Sequence, residues 1–399
     1  MERTILTGAM LFDGSGTPPV AGRAVVVENG RITAVVGAAE APSGTTLRLG
    51  GLMLLPGLIN CHAHLCFGGE ADPAAVMARE SYATTVIRAV LRARQNVEAG
   101  VTTVRDLGGR DYAELAVRDA IRLGLLPGPR LLCAGRGVCM TGGHGWNMIG
   151  RQADGPDDVR KAVREQLRAG ADVIKIFATG GVMTPGVEPG SAQLTLDEVR
   201  AGIEEARKAG RRTAAHAMGS EGIANCLEGG ITTIEHGVFL TEALCERMAR
   251  DGVALVPTLI APHAIAAGGL QAGIPEFAVR KSLAVRDRHL EGFRLALRAG
   301  VPIAAGTDAG TPLNPHGSLV PELDLMIKGG MAPPAALQSA TVTAARVLGL
   351  EHETGRVAPG LAADLLAVAG DPLERIQALD EVRLVMAQGR VVVDRLASR

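Results

Sequence analysis

At 399 residues, nearly half of them apolar, the chain is long enough for a barrel of roughly 250 residues plus a smaller domain. Its formal net charge of −1, with no long run of one sign, and its 2% aromatic content argue against a nucleic-acid groove, a base-stacking face or an anionic membrane surface. No apolar stretch approaches a membrane span, and the N-terminus MERTILTGAMLFDGSG lacks the apolar core of a signal peptide. Six cysteines (61, 66, 133, 139, 226, 245) without C-x-x-C spacing read as reduced thiols, and together these features give an expected cytoplasmic location.

Residues 1–54 contain short alternating runs, among them AVVVENGRITAVV, where Asn29-Gly30 marks a hairpin turn. From residue 55 the pattern changes. A helical stretch ends in a small residue and a glycine, and a short apolar strand follows. The unit recurs as NVEAGVTTVRD, QLRAGADVIKI, ARKAGRRTAAH, CLEGGITTIEH, MARDGVALVPT and ALRAGVPIAAGTD. Glycine after a helix permits the left-handed conformation that stops it. Repetition of strand, loop and helix gives parallel strands with right-handed crossovers. Eight strands are predicted, near 55–64, 102–106, 130–135, 172–177, 212–217, 232–237, 254–259 and 302–308. No Gly-rich phosphate loop follows the first, so a closed (β/α)8 TIM barrel is expected rather than an open doubly wound sheet. Residues 355–399 are again β-rich (DLLAVAG, VRLVMAQGRVVVD). Residues 1–54 and 355–399 are thus expected to form one small β-sandwich-like domain, with the barrel, 55–354, inserted between its halves.

Catalytic side chains of such barrels stand at the C-terminal ends of strands. The first strand ends Cys61-His62-Ala63-His64. Positions i and i+2 share a face, so both imidazoles can point into the barrel mouth and hold one metal, while Cys61 faces away. The fourth strand places Lys175 among apolar residues in VIKIF. Such a lysine is costly unless paired or altered. It is either ion-paired to Asp308 or another acid, or a low-pKa amine that takes up CO2 as a carbamate able to bridge two metals. The fifth, sixth and eighth strands end in His216, His236 and Asp308. Each alone could be an ordinary core histidine or helix cap; together the six converge on one rim.

The motif set LPGLINCHAHL, VIKIF, AAHA, TIEHG and GTDAG, one per expected strand and in order, resembles the amidohydrolase superfamily over nearly the whole chain. It is most similar to the imidazolonepropionase-like and Xaa-Pro dipeptidase (prolidase-like) branch. The resemblance implies that His62, His64 and Asp308 bind a first metal, that His216 and His236 bind a second, and that carboxylated Lys175 and a hydroxide bridge them. Two divalent ions, zinc above all, are the implied cofactors. Asp308 is the implied general acid/base in cleavage of an amide C–N bond of a dipeptide or N-acyl amino acid. A cyclic amide, lactone, ester or carbamate would suit the same centre. A non-catalytic scaffold is disfavoured because all six positions are filled. The mononuclear branch is disfavoured because Glu221 stands five residues after His216, out of H-x-x-E spacing. A small-molecule substrate and a homo-oligomer are expected.

Three loops bear on the substrate. After the third strand, GRGVCMTGGHGWNMIGRQADG carries His144 and Trp146; His144 is either a catalytic substrate contact or a structural loop histidine. After the fourth, ATGGVMTPGVEPGSAQ reads as a lid. His263 and His316 in later loops either face the site or, as expected, lie at the surface, and Arg105 pairs either with a substrate carboxylate or, as expected, with neighbouring Asp106. Related dipeptidases carry a tyrosine where this chain has Met218. Either another donor, with His144 the candidate, replaces that hydroxyl, or the substrate is not an ordinary dipeptide.

Overall fold

The structure, a computed structural model, is described here for residues 3–396. The turn chemistry anticipated from sequence is present. Asn29 and Gly30 both adopt positive φ (51° and 79°) between the antiparallel strands Arg23–Glu28 and Arg31–Gly37. Glycines 100, 170, 210, 230, 252 and 300, which close the six repeated helix ends, all have φ between 66° and 94°.

The central strands are parallel. Leu58–Ala63, Val101–Asp106 and Arg130–Cys133 form one set. Val173–Phe177, Arg212–Ala217, Thr233–His236 and Ala254–Val256 form the second, extended at one edge by the short strands Gly137–Cys139 and Gly150–Gln152, which the sequence did not announce. The sets meet where Asp172 N donates to Cys133 O at 2.8 Å.

The segment 302–308, expected as a regular eighth strand, is not one. It is an extended run that bonds to both neighbours. Ala304 N donates to Leu255 O (3.0 Å), Cys61 N to Ala305 O (2.9 Å) and Asp308 N to His62 O (2.8 Å). Its ladder is interrupted because Pro302 has no N–H to give, and because the Asn60 side chain takes Thr307 N and Thr307 Oγ1 at 3.1 and 2.8 Å. Gly306 belongs here by space: a Cβ would lie 2.4 Å from Val256 Cγ1 and 2.9 Å from His62 N. The strand anticipated at 55–64 is also two. Leu52–Pro56 pairs with Leu365–Ala369 near the other end of the chain, and only Leu58–Ala63 enters the parallel set.

Two further sheets come from the chain ends. One has the order Arg31–Gly37, Arg23–Glu28, Arg3–Thr7, Thr45–Arg48; the other Arg390–Asp394, Val382–Ala387, Leu365–Ala369, Leu52–Pro56, Met10–Leu11. Leu6, Val25, Val27 and Ile32 of the first pack with Leu54, Leu365, Leu384 and Met386 of the second in one buried cluster. Burial of these side chains stabilises the pair by roughly 1.5–3 kcal/mol per large side chain. No helix among the described residues is long and apolar enough to cross a membrane.

Candidate metal centre

All six residues singled out at strand ends, with His144, line one cavity. His62 and His64 project from alternate positions of Leu58–Ala63 and the residue after it, as a pleated strand requires. Their Nε2 atoms lie 3.4 and 3.2 Å from Asp308 Oδ1, and the three side chains form a cluster able to hold a metal ion. The imidazole rings continue around the mouth. His62 is 5.2 Å from His236, His236 is 4.6 Å from His216, and His216 is 4.3 Å from His144, between ring centroids.

Each of the four histidines has one ring nitrogen committed away from the cavity. His62 Nδ1 lies 2.8 Å from Glu235 Oε2 and His64 Nδ1 lies 3.0 Å from Gly108 O. His216 Nε2 lies 3.0 Å from Gly180 O and His236 Nδ1 lies 2.7 Å from Thr258 Oγ1. A carbonyl oxygen only accepts, so His64 Nδ1 and His216 Nε2 carry their protons there. His216 Nδ1 is left as a lone-pair donor toward the cavity, while His64 Nε2 faces the Asp308 carboxylate, which raises the pKa of that ring and holds a proton where a metal ion would otherwise sit. Commitment of one ring nitrogen to an outer partner is how metal-ligating imidazoles are oriented, so the donor set fits a divalent ion.

Lys175 is 1% exposed, and it makes no hydrogen bond or ion pair among the described residues. The alternative that it pairs with Asp308 is therefore not what the structure contains. Burial pushes its pKa down to about 8. Burial also lowers His216 to about 3 and His236 well below its usual value. Asp308 is held below the usual carboxylate range: burial opposes this, but His62, His64 and Lys175 together outweigh it.

Backbone conformation helps to aim the ligand candidates. In Thr233–His236 the side chains of Thr233 and Glu235 share the inner face, where both bond Arg105. Strict alternation would send His236 outward. Its φ of +72° turns it back to the cavity. Asp308 and Thr258 also have positive φ, 56° and 53°, so left-handed non-glycine residues gather at this rim.

Several groups here were not legible as functional. Glu235 accepts from His62, Arg105 and Thr233 and is fully buried. Arg105 thus pairs across the barrel, not with adjacent Asp106, whose carboxylate accepts from Leu65 N and Gly108 N. His289, from the helix Glu276–Arg298, donates from Nε2 to His236 O (2.9 Å) and Pro257 O (2.6 Å). His316, expected at the surface, is buried and reaches Phe67 O at 2.9 Å; His263 is exposed. Only the identity of these residues could have flagged them, because their partners are distant in sequence. The loop 178–193, read as a lid, forms one wall of the cavity, with Pro185, Gly186, Glu188, Gly190 and Ser191 exposed on its outer side. It closes on itself through Gly180 N to Ser191 O and Gln193 N to Ala178 O, and Val182 and Met183 line the cavity. His144 lies against it, Nδ1 2.9 Å from Thr184 Oγ1, and a Cβ on Gly181 would come within 2.4 Å of the ring. Trp146 is 44% exposed.

The sequence model of the Amidohydrolase family matches residues 53–392. The chain belongs to the amidohydrolase family. Ochratoxinase of Aspergillus niger is 32% identical over 427 residues, covering 96% of this chain and 84% of that protein; its crystal structure superposes with a TM-score of 0.87. A prolidase solved with N-methylphosphonate-L-proline is 30% identical, with a TM-score of 0.91 over 98% of this chain and 100% of that one. Imidazolonepropionase of Cupriavidus pinatubonensis is 27% identical over 90% of this chain and 85% of its own length. The fold of this amidohydrolase is accordingly an α/β fold of TIM-barrel type. It is an enzyme whose hydrolase relatives act on carbon–nitrogen bonds.

Proposed function

We propose that this amidohydrolase is a binuclear metal-dependent hydrolase of an amide C–N bond in an N-acyl amino acid or Xaa-Pro-like dipeptide. The observation that carries the reading is the commitment of one ring nitrogen of His62, His64, His216 and His236 to an outer partner, with the other left for the cavity that Lys175 and Asp308 also line. His62, His64 and Asp308 would hold one ion and His216 and His236 the other. Lys175, a buried amine with no hydrogen bond or ion pair among the described residues, would bridge them as its CO2 adduct. Zinc suits imidazole and carboxylate donors. Bound there, two such ions supply a water of lowered pKa and a polarised carbonyl.

The remaining steps belong to the chain's own groups. Asp308 accepts the proton of the attacking water on its carboxylate and passes it to the leaving nitrogen. Thr184 Oγ1 accepts from Gly145 N at 3.0 Å, and in this reading it gives its own proton to His144 Nδ1, 2.9 Å away. The His144 proton then sits on Nε2, and this N–H is the donor for a substrate oxygen in place of the hydroxyl that Met218 lacks. Phe67, Met148, Ile149, Val182, Met218 and Ile265 give the cavity apolar walls, which suit an apolar acyl group. We also read the two end sheets as one small sandwich-like domain with the barrel inserted.

The test is metal analysis of the purified protein together with a hydrolysis screen of N-acyl amino acids and Xaa-Pro dipeptides in Zn²⁺ and bicarbonate. Two ions per chain and release of a free amino acid are expected. One ion per chain with turnover only of ring amides would replace the reading by a mononuclear one, and a metal-free, inactive protein would remove it.

A further inference from the structure

Lys281 projects from the helix Glu276–Arg298 and is 2% exposed. Its ammonium group has no carboxylate partner among the described residues. Instead it donates to Thr184 O at 2.7 Å and to Val187 O, with Gly181 O at 3.4 Å. A buried ammonium is unfavourable unless its protons are taken. Three carbonyls of one loop are thus gathered around a side chain from a different element. Arg280, the preceding residue, reaches Glu188 of the same loop at 3.1 Å.

What that loop holds gives the arrangement its consequence. Gly180 O fixes the His216 ring, and Thr184 Oγ1 fixes both His144 Nδ1 and Gly145 N. Val182 and Met183 form part of the cavity wall. Lys281 itself does not line the cavity, so it acts only through the loop.

We propose that Lys281 is a positioning residue that determines substrate specificity: by caging the carbonyls of Gly181, Thr184 and Val187 it sets the apolar wall and the orientation of His144. This rests on reading the cavity as the substrate site. Loss of the ammonium releases the wall, and substrates that fill it suffer most.

The experiment compares the metal-loaded wild type with Lys281→Met and Lys281→Ala, using N-acyl amino acids of increasing acyl size. For Lys281→Met, KM is expected to rise about ten- to hundredfold for the largest acyl groups, and much less for the acetyl substrate. A second readout needs no turnover. Trp146, the only tryptophan, adjoins Gly145, and acrylamide should quench it more readily in the variants. n-Propylammonium, the part missing in Lys281→Ala, should restore both properties, whereas tetramethylammonium, which has no N–H, should not. Unchanged KM and quenching in Lys281→Met, or a loss equal for all acyl sizes that propylammonium does not repair, overturns the proposal. Should Lys281→Met fail to fold, Lys281→Ala purified in propylammonium decides the matter by its removal. If the wild type cleaves none of these amides but quenching and rescue behave as stated, the substrate reading fails while the caging role stands.

Discussion

Glu235 Oε2 lies 2.8 Å from His62 Nδ1, and the other oxygen of the same carboxylate takes Arg105 at 2.9 Å. The pair links a candidate metal ligand to a buried cation through one fully enclosed anion. Replacing such an outer partner costs about 10- to 100-fold in metal affinity. Glu235→Gln should show a loss of that size in chelator competition. It should also unfold at lower urea, because Arg105 keeps a buried charge without its counterion, a change of about 3–5 kcal/mol. Metal affinity equal to wild type would separate Glu235 from the site.

Among the described residues the Lys175 amine makes no hydrogen bond or ion pair and lies 5.5 Å from the centre of the Phe177 ring, so its removal should cost no ion pair. Lys175→Ala should fold, bind at most one ion per chain, and lose activity by about a thousandfold, the order associated with metal-centred charge stabilisation. Bicarbonate should raise the activity of a CO2-depleted wild type and leave the variant unchanged. A variant with two ions and full turnover would rule out the bridging role.

The proton placement in His144 depends on the Thr184 hydroxyl. Thr184→Val removes that control while keeping the shape of the side chain. Turnover should fall by up to about a hundredfold, the weaker end for a lost oxyanion donor, and His144→Phe should fall further. Both should retain their metal content. A proportional loss of metal would instead make His144 part of the ligand framework.

His289 and His316 are buried, and burial lowers both to about 4 from an ordinary 6.5. Their folded pKa lies below the unfolded one, so the stability they contribute is complete above pH 6.5. It is lost as pH falls toward 4, by at most about 3.5 kcal/mol each at roughly 1.4 kcal/mol per pH unit. Urea midpoints of the metal-free protein should drop between pH 7 and pH 5. His316→Gln can still donate to Phe67 O and should flatten part of that slope. An unaltered slope would assign the pH effect to other groups.

The metal-centre candidates were legible because strand ends carry function in this architecture and because H-x-H, a lysine among isoleucines and a terminal Asp are anomalous in apolar strands. The helix-ending glycines marked the strand positions. What could not be read is tertiary. Nothing in TIEHG says that Glu235 faces Arg105, or that a left-handed His236 breaks the alternation. His289 and Lys281 sit eight residues apart on one helix, and only the fold reveals that the first holds carbonyls at the cavity rim and the second those of the loop. The run 302–308 looked like a strand by its apolar content, but Pro302 and the Asn60 side chain take over its ladder positions.

The pairing of Leu52–Pro56 with Leu365–Ala369 has a bearing on how the chain is made. Its first partner leaves the ribosome roughly 310 residues before the second. At about 5–20 residues per second that is a delay of roughly 15–60 s. Through that interval the strand Leu52–Pro56 has one edge open, and Leu54 lacks the part of its cover that Leu365, Leu384 and Met386 supply. The nascent chain therefore spends most of its synthesis with an adhesive edge exposed, so demand for chaperone protection should be greatest before the last β-strands emerge.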